Sequence, residues 1–417
     1  MIDRPVYPIA VRKRTMSTAV GGAVKARVAV ATLFFTNGFV FANVVPRYPE
    51  IKADLDLSNA ALGTAIAAMP LGALVVGLLA SPLIKRFGSA WTAVVSLALM
   101  GVNVVFVGTA PGFALLCAAL FAAGSLDAIT DVSMNAHGLR VQRVYGRSIL
   151  NSFHGLWSVG AVLGGLAGAA AAQAEIPLGT HLAVAGALTV VAAAVASRSL
   201  LPGADDAERE RPESGDATAA RGGLHWPVLK LLAVLGLLAG AAAAVEDSGA
   251  SWGSVYLRDE LAANAVVGGL GFASLQGMQT VGRLLGDRVV HRLGERTTSR
   301  LGGLLVVTGM GSALVWPSVP STVVGFGLAG LGIATLIPAA FHAADEIPGL
   351  WPGAGITITA FLLRIGFLIS PPVVGLVADA SSIRLGLVVV PLAGLVILLT
   401  SGILEGRPAP AGDRQVA

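Results

Sequence analysis

The chain has 417 residues, 55% of them hydrophobic and only 12% charged, with a net charge of +4, and its mean hydropathy is +0.77. Such values exclude a water-soluble globular domain and place the chain in a bilayer. Cys117 is the only cysteine, which excludes an intrachain disulfide, and the small positive charge gives no reason to expect a nucleic-acid partner.

A helix needs ~20 apolar residues to cross a hydrocarbon core of ~30 Å. Twelve runs satisfy this, at 26–46, 59–82, 90–109, 112–138, 148–172, 180–198, 226–256, 262–286, 298–317, 320–341, 352–378 and 383–404. The basic N-terminal stretch has no small-residue cleavage site, so the first run is expected to be a retained helix. With the N-terminus inside, 23 of the 28 Lys and Arg side chains fall on cytoplasmic segments. The positive-inside rule then places both termini in the cytoplasm. The expected division is a cytoplasmic tail over 1–25, a six-helix bundle over 26–198, a polar linker over 199–224, a second bundle over 225–404 and a tail over 405–417. The linker has alternating charges and no apolar periodicity, so it has no core to fold around.

Along the first bundle, span 1 carries Asn37 and Asn43, neutral groups suited either to reading a polar solute or to bonding neighbouring helices. Arg47, between Pro46 and Pro49, reads as an external loop residue. Span 2 ends in a basic junction, Gly77-Leu78-Leu79-Ala80-Ser81-Pro82-Leu83-Ile84-Lys85-Arg86-Phe87-Gly88. Span 4 places Asp127, Asp131 and Asn135 at four-residue steps, hence on one helical face. Two carboxylates one turn apart in a low dielectric repel when both are ionised, so at least one is a candidate proton carrier. Span 5 holds His154, at a depth where it can meet Asp131, then Trp157, a candidate solute contact. Its Gly160, Gly164 and Gly168 make a smooth face for close helix contact.

In the second bundle, span 7 reaches Glu246-Asp247-Ser248-Gly249-Ala250-Ser251-Trp252. Either the helix ends there with its acids solvated, or it is a broken helix whose acids and Trp252 line a cavity. Glu246 joins the proton-carrying candidates on the second reading, and Gln276 and Gln279 of span 8 the solute contacts. Span 8 runs into Gly286-Asp287-Arg288-Val289-Val290-His291-Arg292-Leu293-Gly294, and its closing Gly294 lies 206 residues after Gly88. Gly366 of span 11 likewise follows Gly160 by 206 residues, just before Ser370-Pro371-Pro372 and Gly375, where prolines would loosen the helix. Spans 5 and 11 are therefore the candidate seam along which two halves rock, with Gly160, Gly164, Pro371 and Pro372 as gating residues. Arg364 is the cation in the middle of span 11. It needs a permanent anion or a substrate anion nearby: Asp127 is its expected central partner, with Asp131 the alternative, and Arg364 and Asn135 are also candidate solute contacts.

Two copies of one bundle around a central site are the architecture of a secondary transporter. On the two basic junctions, the glycine-rich span 5 and Gly366 with Ser370-Pro371-Pro372-Val373-Val374-Gly375, the whole chain resembles the major facilitator superfamily. Asp131-Val132-Ser133-Met134-Asn135-Ala136, Asn151 through Gly160, Trp252 through Leu257 and Gly282 through Asp287 resemble a bacterial branch near the fucose-permease-like transporters. The resemblance implies an all-α membrane fold of twelve helices in two pseudo-symmetric bundles. It also implies a cytoplasmic gate in which Asp287, Arg288 and Arg292 take part. The first junction departs from the pattern, having Ser81-Pro82 where an acidic and a basic residue are usual.

The expected function is alternating-access transport of a small polar solute across the inner membrane, coupled to protons. A sugar, polyol or sugar acid is the expected class, and a monomer the expected state. The alternatives are an exporter of drugs or amphipathic metabolites, and a non-transporting membrane sensor. No phosphate-binding Gly-x-x-x-x-Gly-Lys-Ser/Thr loop and no metal-ligand spacing occur in the sequence, so neither ATP nor a metal or other cofactor is expected, nor enzyme activity.

Overall fold

A computed structural model describes residues 9–147, 149–203, 205, 226–347, 350 and 354–404, with side chains from Gly22 onward. Most of the 199–224 linker and all of the 405–417 tail lie outside the described residues. The principal helices are α1 (Ile9–Val44), α2 (Asn59–Val76), α3 (Ser89–Gly108), α4 (Phe113–Tyr145), α5 (Leu150–Gln173), α6 (Leu178–Ser197), α7 (Trp226–Val255), α8 (Ala265–Leu293), α9 (Glu295–Val315), α10 (Val319–Ile333), α11 (Ala354–Ala380) and α12 (Val389–Thr400). Among the described residues eleven helices are long and apolar enough to span a bilayer. The expected eighth span, α8, is 29 residues long but is not one of those eleven. Its polar residues (Gln276, Gln279, Arg283, Asp287, Arg288) dilute the apolar run. α1 begins at Ile9, so residues 9–25 continue the first helix instead of forming a separate tail.

The 206-residue repeat is written into the backbone. Gly88 (φ 83°) and Gly294 (φ 81°) both turn the chain from a short basic segment into the next helix. This left-handed region favours glycine, which has no Cβ to clash. Asp56 (φ 49°) and Ala262 (φ 52°) repeat at the same interval. So do the caps that follow: the Ser58 side chain accepts from Ala61 N–H and that of Asn264 from Val267 N–H, each satisfying an orphan donor of the first turn.

Packing repeats as well. Within the first half α1 packs on α5, α2 on α4, and α3 on α6; within the second, α7 packs on α11, α8 on α10, and α9 on α12. The halves meet through α2 with α11 and through α5 with α8, again a symmetric pair. The peripheral α3, α6, α9 and α12 present large apolar side chains outward, among them Trp91, Val184, Leu304 and Leu399.

α5 and α11 thus stand at the seam, but Gly160 and Gly164 face inward to their own half. Their Cα atoms abut the backbone carbonyls of Phe35 and Phe39 on α1, a close approach that a Cβ would forbid. The seam contacts come from neighbouring positions: Gly165 lies against Phe272 of α8, and Gly269 of α8 against Ala169. Pro371 and Pro372 do lie on the seam, against Gly63 of α2. α11 runs continuously through both prolines, so they do not break it. The expected break in span 7 is also absent, as is an early helix end, because α7 continues to Val255 and a single π turn, Tyr256–Glu260, follows.

Candidate solute and proton site between the halves

The two ends of the bundle differ. At the far end, which carries residues 45–59 and 254–264, the halves are tied together. Lys52 Nζ meets Asp259 Oδ2 at 2.9 Å, and Arg258 Nη1 meets Glu50 Oε1 at 3.0 Å. Asp379 at the end of α11 accepts from the backbone N–H groups of Asn59 and Ala60, both at 2.8 Å. A carboxylate at a helix N-terminus is favoured by the dipole and the orphan donors, and here the capping group comes from the opposite half.

Arg47 belongs to this closure and is not an external loop residue. It sits in a 3₁₀ turn, 2% exposed, and donates to Ile176 O at 2.8 Å and to Glu50. Its Nη1 also reaches His181 Nδ1 at 3.3 Å, and His181 Nε2 reaches Asn43 Oδ1 at 2.9 Å. Because guanidinium only donates, Nδ1 is the acceptor and Nε2 carries the hydrogen. Asn43 in turn donates to Phe39 O, so it is a buried strut and not a solute contact. His181 was invisible as a site residue because its partners come from a different helix.

Glu50 is the shared anion of Arg47 and Arg258. We expect Glu50→Gln to loosen the far end, raising labelling of a cysteine placed at Ser251 by an impermeant reagent about tenfold, the equivalent of ~1.4 kcal/mol. Unchanged labelling would contradict this closure.

At the other end, the junction end, Asp287, Arg288 and Arg292 are exposed and make no hydrogen bond or ion pair with the described residues. The contacts expected of a closed gate are not formed there among the described residues, and a cavity of about 300 Å³ lies between the halves. Its wall takes Asp127, Asp131 and Gly124 from α4, Trp157 from α5, Glu246, Asp247, Ala250 and Ser251 from α7, Phe272 and Gln276 from α8, and Arg364 and Phe367 from α11. Tyr48 joins from the first half.

The expected stack on α4 is present. Asn37 donates to Asp127 Oδ1 at 2.9 Å and accepts from Trp157 Nε1 at 2.6 Å. Asn37 is 1% exposed and stands behind the wall, fixing Asp127. Asp131 is exposed to the cavity, and its Oδ1 accepts from Asn135 at 2.9 Å. Asn135 Oδ1 then meets His154 Nε2 at 3.0 Å, so His154 reaches Asp131 through an amide rather than directly.

Across the cavity, Glu246 accepts from Gln279 Nε2 at 2.8 Å and lies 3.9 Å from Arg283. Arg283, inside the expected span 8, was not singled out as a site residue; its one-turn offset from Gln279 on α8 was the available signal. Gln279 is fully buried behind Glu246. Trp252 is also fully buried in the second half and is absent from the wall, so its place is structural. Arg364 lines the cavity with both aspartates but makes no ion pair within 4 Å with either. The expected contact spans α4 and α11, which belong to opposite halves and stand apart across the open cavity.

The sequence model of the Major Facilitator Superfamily matches residues 30–349. An uncharacterised transporter of Sinorhizobium fredii is 29% identical over 376 residues, covering 90% of this chain and 97% of that one. Among solved structures, a bacterial homologue of the human lysosomal transporter Spinster, inward-facing and unoccupied, superposes with a TM-score of 0.72 at 14% identity, covering 94% of this chain and 99% of its own. A D-xylose–proton symporter gives 0.70 at 14% identity with the same coverage. The family match, the repeat of helix packing and the polar cavity at the seam agree: this multi-pass membrane transporter belongs to the Major Facilitator Superfamily.

Proposed function

We propose that the chain is a proton-coupled carrier of a small polar solute, working by alternating access across the bacterial cytoplasmic membrane. One observation carries this reading. Four carboxyl groups and one arginine, from both halves, line a single cavity, and ion pairs join the halves at the far end but not among the junction-end residues described. An ionisable side chain inside a membrane costs at least ~2.5–3.5 kcal/mol on insertion scales, so such a concentration is retained for function. The Lys and Arg asymmetry makes the junction end cytoplasmic, so this conformation is inward-open.

Asp131 is the best-placed proton carrier, since it is the α4 acid open to the cavity and is not paired with a cation. Asp127 is held by Asn37 and Glu246 by Gln279 and Arg283, which suits them to sensing solute and conformation. Asp287, Arg288 and Arg292 close the junction end in the opposite state. The D-xylose–proton symporter fold supports a sugar-like solute moving with protons. The test is flux in proteoliposomes: an inward-directed pH gradient should drive uphill uptake of a neutral polyol, and uptake insensitive to an imposed gradient would contradict proton coupling.

A further inference from the structure

Asp247 is the cavity acid left without a task. It is 9% exposed, its Oδ1 accepts from Ser251 at 3.0 Å, and its Oδ2 has no partner. Ser370 on α11 lies close enough to share its hydroxyl hydrogen among Asp247, Ser248 and the Ala244 carbonyl, which leaves Asp247 Oδ2 without a full bond. No described Lys, Arg or His lies within ion-pair distance of Asp247. On the adjacent helix Gln276, 3% exposed, also lines the cavity, and its Nε2 has no partner. A buried carboxylate oxygen and a buried amide N–H₂, both unsatisfied on one cavity wall, are costly unless something completes them.

The chemistry of what completes them is restricted. A carboxylate needs a donor and an amide nitrogen needs an acceptor, and a hydroxyl is both at once. An ammonium would satisfy Asp247 and leave Gln276 unpaired. A solute carboxylate would satisfy Gln276 and repel Asp247, in a cavity walled by Asp127, Asp131, Glu246 and Asp247, with Arg364 on the wall and Arg283 already beside Glu246. We propose that Asp247 and Gln276 form a subsite for one hydroxyl of a neutral polyhydroxylated solute, a sugar or polyol, and that sugar acids are excluded. Tyr48, from the first half, lines the same cavity. The inference rests on the transport reading but concerns solute choice, separate from the proton step assigned to Asp131.

Thermal stability of the purified full chain tests it, since a ligand that binds the folded state raises the melting temperature by mass action. The probes are D-glucose, D-ribose and myo-inositol as neutral polyols, with glucosamine and glucuronate as charged counterparts. At least one neutral polyol should stabilise the wild type at millimolar concentration, while glucuronate should not. Asp247→Asn and Gln276→Leu should each weaken that binding about tenfold or more, the effect of removing a charge-assisted or otherwise buried bond. Stabilisation by glucuronate alone, by glucosamine in preference to the neutral probes, or by none of the neutral polyols would overturn the assignment. So would unchanged binding in folded Asp247→Asn, including the outcome in which that variant binds normally and loses only proton dependence. Failure of the pH-gradient flux with polyol binding intact would strike the coupling reading and leave this subsite standing.

Discussion

Asp131→Asn is expected to abolish uphill accumulation while leaving exchange of solute across the membrane intact. One proton moving through 100 mV supplies ~2.3 kcal/mol, enough for a concentration ratio of about fifty; in the variant the ratio should fall to about one. The reason is local. Asp131 faces the cavity, and among the described residues its carboxylate bonds only Asn135, so it can take a proton without breaking an ion pair. Asparagine keeps the shape and the capacity to bond Asn135 but cannot carry a titrating proton. Counterflow of labelled polyol into preloaded vesicles separates the two activities. Wild-type accumulation by the variant would remove Asp131 from the coupling step.

Arg364→Ala should have a comparably large effect on a different step, stopping net transport by about a hundredfold or more. Arginine stays charged at every relevant pH, and this one shares its cavity with Asp127 and Asp131 without being bonded to either in this conformation. On the proposed mechanism, closing the junction end should bring α4 and α11 together, and the contact then formed would stabilise the opposite state. Losing the cation strands an acid in the closed form, a penalty of several kcal/mol. Arg364→Ala combined with Asp127→Asn or Asp131→Asn should therefore restore melting temperature with the correct aspartate and not restore coupling. Additive losses of stability for both combinations would count against any pairing.

The elements that were legible in the sequence are those set by local periodicity and duplication. Apolar runs fixed where the helices fall, and the interval between Gly88 and Gly294 marked two halves whose turns and caps now coincide. Asp127, Asp131, Asn135, Glu246, Gln276 and Arg364 were visible because a polar group in an apolar run is conspicuous. What could not be read were rotations and neighbours. Four-residue glycine spacing shows that a smooth face exists, not that it meets α1 instead of the seam. Asn43 and Trp252 looked like solute contacts from their chemistry alone, but their faces turn to Arg47's cluster and to the core of the second half. Arg283 and His181 acquire meaning only from partners more than thirty residues away in the chain.

The most direct test of alternating access about this cavity is a pair of distances measured by pulsed spin-label spectroscopy in a Cys117→Ser background. One pair, at Asp54 and Ala262, reports the far end; the other, at Arg86 and His291, reports the junction end. All four positions are exposed. With neutral polyol and low pH supplied, the far-end distance should lengthen in the same fraction of molecules in which the junction-end distance shortens. Distances that stay single-valued at both ends, or that lengthen together, would contradict the account.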